Sequence, residues 1–357
     1  MQDTLDLLEH LIQFDSSSQY TANETIDYCA EWLQKEGLSS EIIINNGYKM
    51  LVCNVGEGNK KLVLNGHVDV VSGKKKQFTP QIEDGKIYGR GSADMKAGVA
   101  SFMLVMRDLK NVDLGDVCVQ LQLVTDEEIG GYNCASYLTD QGYLGDFVIC
   151  AEPTQIGIGF QAKGILQFDI QFKGKSAHGS RPWEGENAIA KAMEVYHKIL
   201  DLPFAKESTD IFEAPSINLA KIKGGEVYNK VPDECLISFD IRYLPNQDKE
   251  DILAQIKEIT DGEISLNLTG PSVKNEISNP YIQKLIQHIK MVGNKEHVDV
   301  FGQHGFADTR YFSRYDVPAI EFGPSGGEWH GDGEYAVIES LETYKDIIIS
   351  FSKNFAH

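Results

Sequence analysis

The chain has 357 residues, more than one hydrophobic core usually serves, so two domains are expected. Apolar residues make up 42% and charged residues 24%, a balance that fits a folded globular protein and excludes a disordered or low-complexity one. A formal charge of -20, with no basic run beyond Lys74–Lys76, argues against a nucleic-acid partner.

Residues 1–14 place Leu5, Leu8, Leu11 and Ile12 at helical spacing among acids, an amphipathic first helix. An export leader would need a basic start and an unbroken apolar run. No stretch approaches the roughly 20 apolar residues that span a membrane. A cytoplasmic protein without membrane contact is therefore expected. The six cysteines show no C-x-x-C pairing and read as reduced core residues.

Further along, residues 24–36 read as a helix ended by Gly37, and 41–44, 50–55 and 61–65 as strands. A long apolar helix is expected over 96–109, then strands at 117–124 and 147–151. Strands separated by helices imply an α/β fold: a mixed, mostly parallel sheet covered by helices on both faces. The pattern changes after Lys163. Residues 165–172 alternate strictly, a helix follows at 185–200, strands at 216–222 and 235–242, a helix at 248–259 and a strand at 264–268. This β-α-β-β-α-β order suggests a small ferredoxin-like α+β unit. A helix from Pro280, short strands at 298–300 and 319–322, and a terminal helix from about 341 complete the first domain. The expected organisation is one domain from 1–162 and 278–357, interrupted by another at 163–277.

Chemistry-bearing residues cluster at the ends of the expected strands. In L-V-L-N-G-H-V-D-V, His67 and Asp69 sit two apart on extended chain and face the same way, so the carboxylate can support the imidazole. A polar turn is the plain alternative. Asp94 lies in Y-G-R-G-S-A-D-M-K-A-G ahead of an apolar helix, where it could equally be an N-cap. In L-Q-L-V-T-D-E-E-I-G-G, the adjacent Glu127 and Glu128 point in different directions and can take different roles. Such clustered acids would repel one another without a cation. Glu152 ends the strand of C-A-E-P-T, and His330 lies in the glycine-rich G-P-S-G-G-E-W-H-G-D-G-E-Y. Two histidines and several carboxylates suit zinc, cobalt or manganese. Two ions need five or six such ligands with one bridging acid, and the chain offers that set. G-R-G-S-A-D does not complete a G-x-G-x-x-G fingerprint, which sets a nucleotide-binding oxidoreductase aside.

In this order, H-V-D-V-V, G-R-G-S-A-D-M-K-A-G, T-D-E-E-I-G, A-E-P-T and W-H-G-D-G-E resemble the dinuclear-zinc amidohydrolases. That family includes succinyl-diaminopimelate desuccinylase, acetylornithine deacetylase, aminoacylase and the glutamate carboxypeptidases. The resemblance spans essentially the whole chain. It implies that His67 and Glu152 hold one ion, Glu128 and His330 the other, and that Asp94 bridges them. It further implies that Asp69 supports His67, that Glu127 is the general base and later the acid, and that the peptide bond after Asp94 is cis. The inserted unit would be a lid and dimerisation domain. Its His178, in S-A-H, would steady the oxyanion in a partner's site, and Asn229 and Arg242 would hold substrate. The implied activity is cleavage of a small N-acyl amino acid by a homodimer with two divalent ions, most plausibly zinc. A dipeptidase or carboxypeptidase with the same site is the alternative, and an inactive metal- or peptide-binding module the reading from another class. Phe306 and Ala307 replace hydroxyl residues of the family and point away from a diaminopimelate substrate. Glu152 at its ligand position, where other members carry Asp, resembles the deacylase and carboxypeptidase branch.

Overall fold

Residues 1–305 and 307–356 are described by a computed structural model, so Phe306 lies outside the described residues. They form two units. The first holds Met1–Phe160, Asn275–Phe301 and the described residues from Ala307 onward; the second holds Gln161–Lys274 and the described residues 302–305.

The chain opens with α1 (Gln2–Gln13) and α2 (Gln19–Lys35). α2 starts earlier than its apolar spacing suggests because the Ser18 hydroxyl caps it, accepting the Thr21 N–H at 3.3 Å. Then come β1 (Ser40–Asn45), β2 (Tyr48–Val55), β3 (Lys60–His67), β4 (Gln81–Glu83), β5 (Lys86–Tyr88) and α3 (Ala97–Leu109). β6 (Val117–Val124), α4 (Ala135–Asp140), β7 (Phe147–Cys150) and β8 (Ile158–Ala162) follow. The second unit contributes β9 (Gly164–Lys173), α5 (Ala188–Leu200), β10 (Ser216–Gly224), β11 (Glu234–Tyr243), α6 (Lys249–Glu258), β12 (Glu263–Gly270) and β13 (Val273–Lys274). The return brings α7 (Pro280–Val292), β14 (Val300–Gln303), α8 (Thr309–Ser313), β15 (Ala319–Glu321), β16 (Gly326–Gly327), β17 (Tyr335–Val337) and α9 (Ile338–Lys353). Two elements start elsewhere than expected. β14 starts where the 298–300 strand was expected to end, and α9 begins at Ile338, directly where β17 stops.

The main sheet runs β1-β2-β6-β3-β7-β15-β8. Its centre, β6-β3-β7-β15, is parallel, and the pairs outside it are antiparallel. Alternation along β3 shows why both faces are covered. Leu62 and Leu64 pack into the core that holds Phe102 of α3 and Tyr344 of α9. Val63, between them, joins Phe312 of α8 in a separate cluster. β6 is buried at every position. Its two glutamines are accommodated because Gln120 donates to Asn54 at 2.9 Å and Gln122 donates to Gln120 at 2.8 Å. All six cysteines are free and buried, as core thiols should be. No helix among the described residues is long and apolar enough to cross a membrane.

The second unit is an antiparallel sheet, β10-β11-β9-β12. Leu166, Phe168, Ile170 and Phe172 alternate along β9 with Gln167, Asp169 and Gln171, so one face packs on Ala192 of α5 and Ile252 of α6. Phe168 is fully buried and stacks on Phe239 with ring centroids 5.1 Å apart. Phe168→Ala should cost about 3–5 kcal/mol. A lower urea midpoint for this unit's transition would register the loss, and an unchanged midpoint would show that the ring is not part of its core.

Candidate metal centre

Three adjacent parallel strands, β6, β3 and β7, end at the same edge of the main sheet, where open α/β sheets collect their ligands. His67 is the last residue of β3, Asp126–Glu128 follow β6, and Glu152 follows β7. Asp94 arrives from an irregular turn, Ser92–Lys96, ahead of α3, and the Asp94–Met95 peptide bond is cis. α3 has Lys96 at its N-cap position and no side-chain cap, so Asp94 is not the helix cap that its sequence position allowed. His330 sits at a left-handed φ of 59° in the glycine-rich loop between β16 and β17.

Asp94 stands between the two histidines and presents one oxygen to each. Its Oδ1 lies 3.1 Å from His67 Nε2 and its Oδ2 lies 3.2 Å from His330 Nε2. Glu152 Oε1 is 3.7 Å from His67 Nε2, and Glu128 Oε2 is 3.2 Å from His330 Nε2. Two groups result: His67, Asp94 and Glu152, and Asp94, Glu128 and His330. Within each, the donor atoms lie within 4.8 Å of one another. Glu127 belongs to neither group. Its carboxylate approaches His67 Nε2 only to 4.0 Å, in a half-buried position.

The electrostatics fit a cation-binding cluster. Burial pushes Glu152 and Glu127 well above the ordinary carboxylate range, and neighbouring acids, Asp94 for Glu152 and Asp308 for Glu127, push the same way. Burial raises Glu128 to about 7. Asp94 moves oppositely: burial would raise it, but hydrogen bonds from His330 and His67 outweigh that. His67 is raised despite its burial, by hydrogen bonds to Asp69 and Asp94. Carboxylates drawn together in a buried site and resisting ionisation are the expected signature of a site whose charge a divalent ion balances. Nitrogen and oxygen donors in these numbers suit zinc, cobalt or manganese.

Asp69 reaches the His67 ring with its carboxylate and also with its backbone carbonyl. The imidazole Nδ1 is 2.9 Å from the Asp69 backbone carbonyl and 3.5 Å from its carboxylate. The other carboxylate oxygen accepts the Glu128 N–H at 3.0 Å, so Asp69 ties the β3 end to the β6 end. Two groups of residues received no role from sequence. Arg90 and Glu334 form a buried ion pair at 2.6 Å beside Asp94. Arg310 and Tyr311 of α8 both donate to the Gly130 carbonyl, just past Glu127 and Glu128, and a Cβ at Gly131 would collide with Asp308 Oδ1. An arginine between two glycines, in a stretch otherwise headed for burial, was the available signal for the first. A short helix with little pattern offered none for the second.

The remaining expected residues lie in the second unit. His178 Nδ1 is 2.8 Å from Ser180 Oγ, and the Asn229 carbonyl accepts the Gly179 N–H at 2.7 Å. Arg242 donates from Nε to Asp240 Oδ1 at 2.8 Å, a neighbour on the same face of β11.

Residues 63–354 match Peptidase family M20/M25/M40. The chain is similar over its length to a probable succinyl-diaminopimelate desuccinylase of Staphylococcus aureus, 29% identical, covering 97% of this chain and 96% of that protein. A succinyl-diaminopimelate desuccinylase of Rickettsia akari is 28% identical over 96% of this chain and 97% of its own. In fold it is similar to an aminopeptidase of Bacillus cereus, with a TM-score of 0.86, 20% identity and coverage of 100% and 99% of the two chains. It is also similar to a dinuclear metal binding peptidase of the same family from Bacillus subtilis, with a TM-score of 0.75, 15% identity and coverage of 99% and 98%. The chain therefore belongs to Peptidase family M20/M25/M40 and is a hydrolase acting on amide bonds.

Proposed function

We propose that this chain hydrolyses the amide bond of a small N-acyl amino acid, using two divalent zinc ions. One observation carries the reading: Asp94 turns its two carboxylate oxygens to two different histidines, each with a further glutamate beside it. His67, Asp94 and Glu152 would hold one ion, and Asp94, Glu128 and His330 the other. When bound, such ions supply Lewis acidity that acidifies water and polarises a carbonyl.

The protein's own proton carrier is Glu127. It is half-buried, close to His67 and Asp94, and a ligand in neither group. Its raised pKa suits a group that takes a proton from water and returns it to the leaving amine nitrogen. His67 is held in orientation by Asp69, which keeps its Nε2 toward Asp94. The full-length similarity to proteins named desuccinylases and the glutamate at position 152 favour an N-acyl amino acid over a dipeptide. A screen of N-acetyl, N-succinyl and N-formyl amino acids beside dipeptides, each with zinc, cobalt and manganese, tests this. Turnover confined to dipeptides would overturn the substrate class and leave the site assignment standing.

The reading includes a homodimer in a reducing, cytoplasmic setting, which suits six free thiols. His178 serves the oxyanion of the partner's site, with Asn229 and Arg242 holding substrate. His178→Ala should lower kcat by about 10²–10³. Mixing inactive His178→Ala and Glu127→Ala subunits should then restore about a quarter of the wild-type rate, from random pairing in a symmetric dimer. No recovery on mixing would remove the shared site.

A further inference from the structure

The small sheet outside the main one, β16-β17-β5-β4, has no residue in either metal-binding group, yet it brings two of their loops together. Tyr335 and Ala336 of β17 pair antiparallel with Tyr88 and Ile87 of β5. The pairing continues past the strands, where the Gly89 N–H donates to the Glu334 carbonyl at 3.0 Å. Glu334 and Arg90 are thereby set side by side at the root of both loops, 2% and 3% exposed.

Their hydrogen bonds divide between the loops. Glu334 Oε2 accepts from Arg90 Nη1 at 2.6 Å. Glu334 Oε1 accepts the backbone N–H groups of Ala93 and Asp94, each at 3.1 Å. The second arm of the guanidinium, Nη2, donates to the His330 carbonyl at 3.1 Å. One buried ion pair thus holds the backbone of Asp94 with its carboxylate and the backbone of His330 with its guanidinium. His330 stands at a φ of 59°, which a residue with a side chain seldom adopts, and the Arg90 bond is a contact that holds its backbone there.

We propose that Arg90 and Glu334 are positioning residues that fix Asp94 and His330 relative to each other and so set the affinity of the group Asp94, Glu128 and His330. The proposal rests on the reading that the two groups hold metal. Its content is an asymmetry. The clamp holds two of the three ligands in that group and only the shared Asp94 in the other. His67, in contrast, is fixed by β3 and by its contact with Asp69. Arg90 reaches both Glu334 and His330 through a planar fork that a lysine cannot reproduce.

Zinc titration of the metal-free chain against a competing chelator tests this, with folding checked by circular dichroism. The variants are Glu334→Gln, which keeps an acceptor for the amides but loses the charge, and Arg90→Lys, which keeps the charge but loses the fork. The wild type should take two equivalents. Each variant should weaken one dissociation constant by about 10- to 100-fold and leave the other within about threefold, the range for residues that orient ligands without touching metal. A purely structural role would lower melting temperature without separating the constants. Two constants that stay put, or that rise together in both variants, would overturn the clamp. A wild type that fails to take two equivalents would instead remove the metal reading itself. Arg90→Lys preserves the buried charge pair and decides the matter should Glu334→Gln fail to fold.

Discussion

Glu127→Ala is expected to lose about three to four orders of magnitude in kcat while keeping its full complement of metal. The separation of effects follows from geometry. Glu127 lies beside both ligand groups but supplies a donor to neither, and its carboxylate stops 4.0 Å from His67 Nε2. Truncation therefore removes a proton carrier and leaves five donors in place. KM should change little, because the lost interaction serves the transition state rather than the bound substrate. Stability should not suffer either. A carboxylate whose pKa is raised by burial is harder to ionise in the folded chain than in the unfolded one. Near-wild-type turnover in Glu127→Ala, or turnover lost together with metal, would take the proton-carrying role away from this residue. Glu127→Gln, which keeps shape and polarity, should be nearly as impaired, since it too can neither take nor return the proton.

Exhaustive chelation should abolish hydrolysis, and zinc or cobalt should restore it. Full activity after rigorous removal of metal would defeat the two-ion reading. Chelation should also change how stability depends on pH. In the metal-free chain, burial raises Glu127 and Glu152 well above their ordinary values and Glu128 to about 7. Asp308 is likewise raised to about 7, chiefly by burial. His67 and His330 are raised as well, against burial in the first and chiefly by Asp94 in the second. Each of these groups binds protons more readily folded than unfolded. Stability of the metal-free chain should therefore fall as pH rises, from near the ordinary glutamate value through the raised carboxylate and histidine values. Asp94, lowered by its histidines, acts in the opposite sense only in the acid range. Melting temperatures of the metal-free chain should thus drop between about pH 5 and pH 7, above which Lys96, lowered by burial to about 7, acts in the opposite sense. With saturating zinc the dependence should flatten and the melting temperature rise, by about 4 kcal/mol of stabilisation for each ion held at a thousandfold excess over its dissociation constant. A metal-free curve that rises across this window would contradict the assigned burial of the carboxylates.

Local chemistry in the sequence was enough to locate the strands that lead to His67, to Thr125 and its acids, and to Glu152. A buried apolar run stopping at a charged or polar group is visible without any tertiary contact. Alternation along 165–172 was likewise enough to mark a second kind of unit, because a half-buried antiparallel strand imposes a period of two. The chain's order also gave the motifs from His67 to His330 and, through their resemblance, the roles proposed for Asp94 and Glu127. What the sequence could not decide was which distant backbone holds which ligand. Asp69 meets His67 first through its carbonyl and spends a carboxylate oxygen on the Glu128 amide. Glu334 reaches Asp94 across a small sheet, and Arg310 reaches the Gly130 carbonyl from a short helix far along the chain. The division has a physical cause. Strand burial and helix periodicity are properties of neighbouring residues. A hydrogen bond between residues 90 and 334 depends on the antiparallel pairing of β5 and β17, which no local pattern encodes.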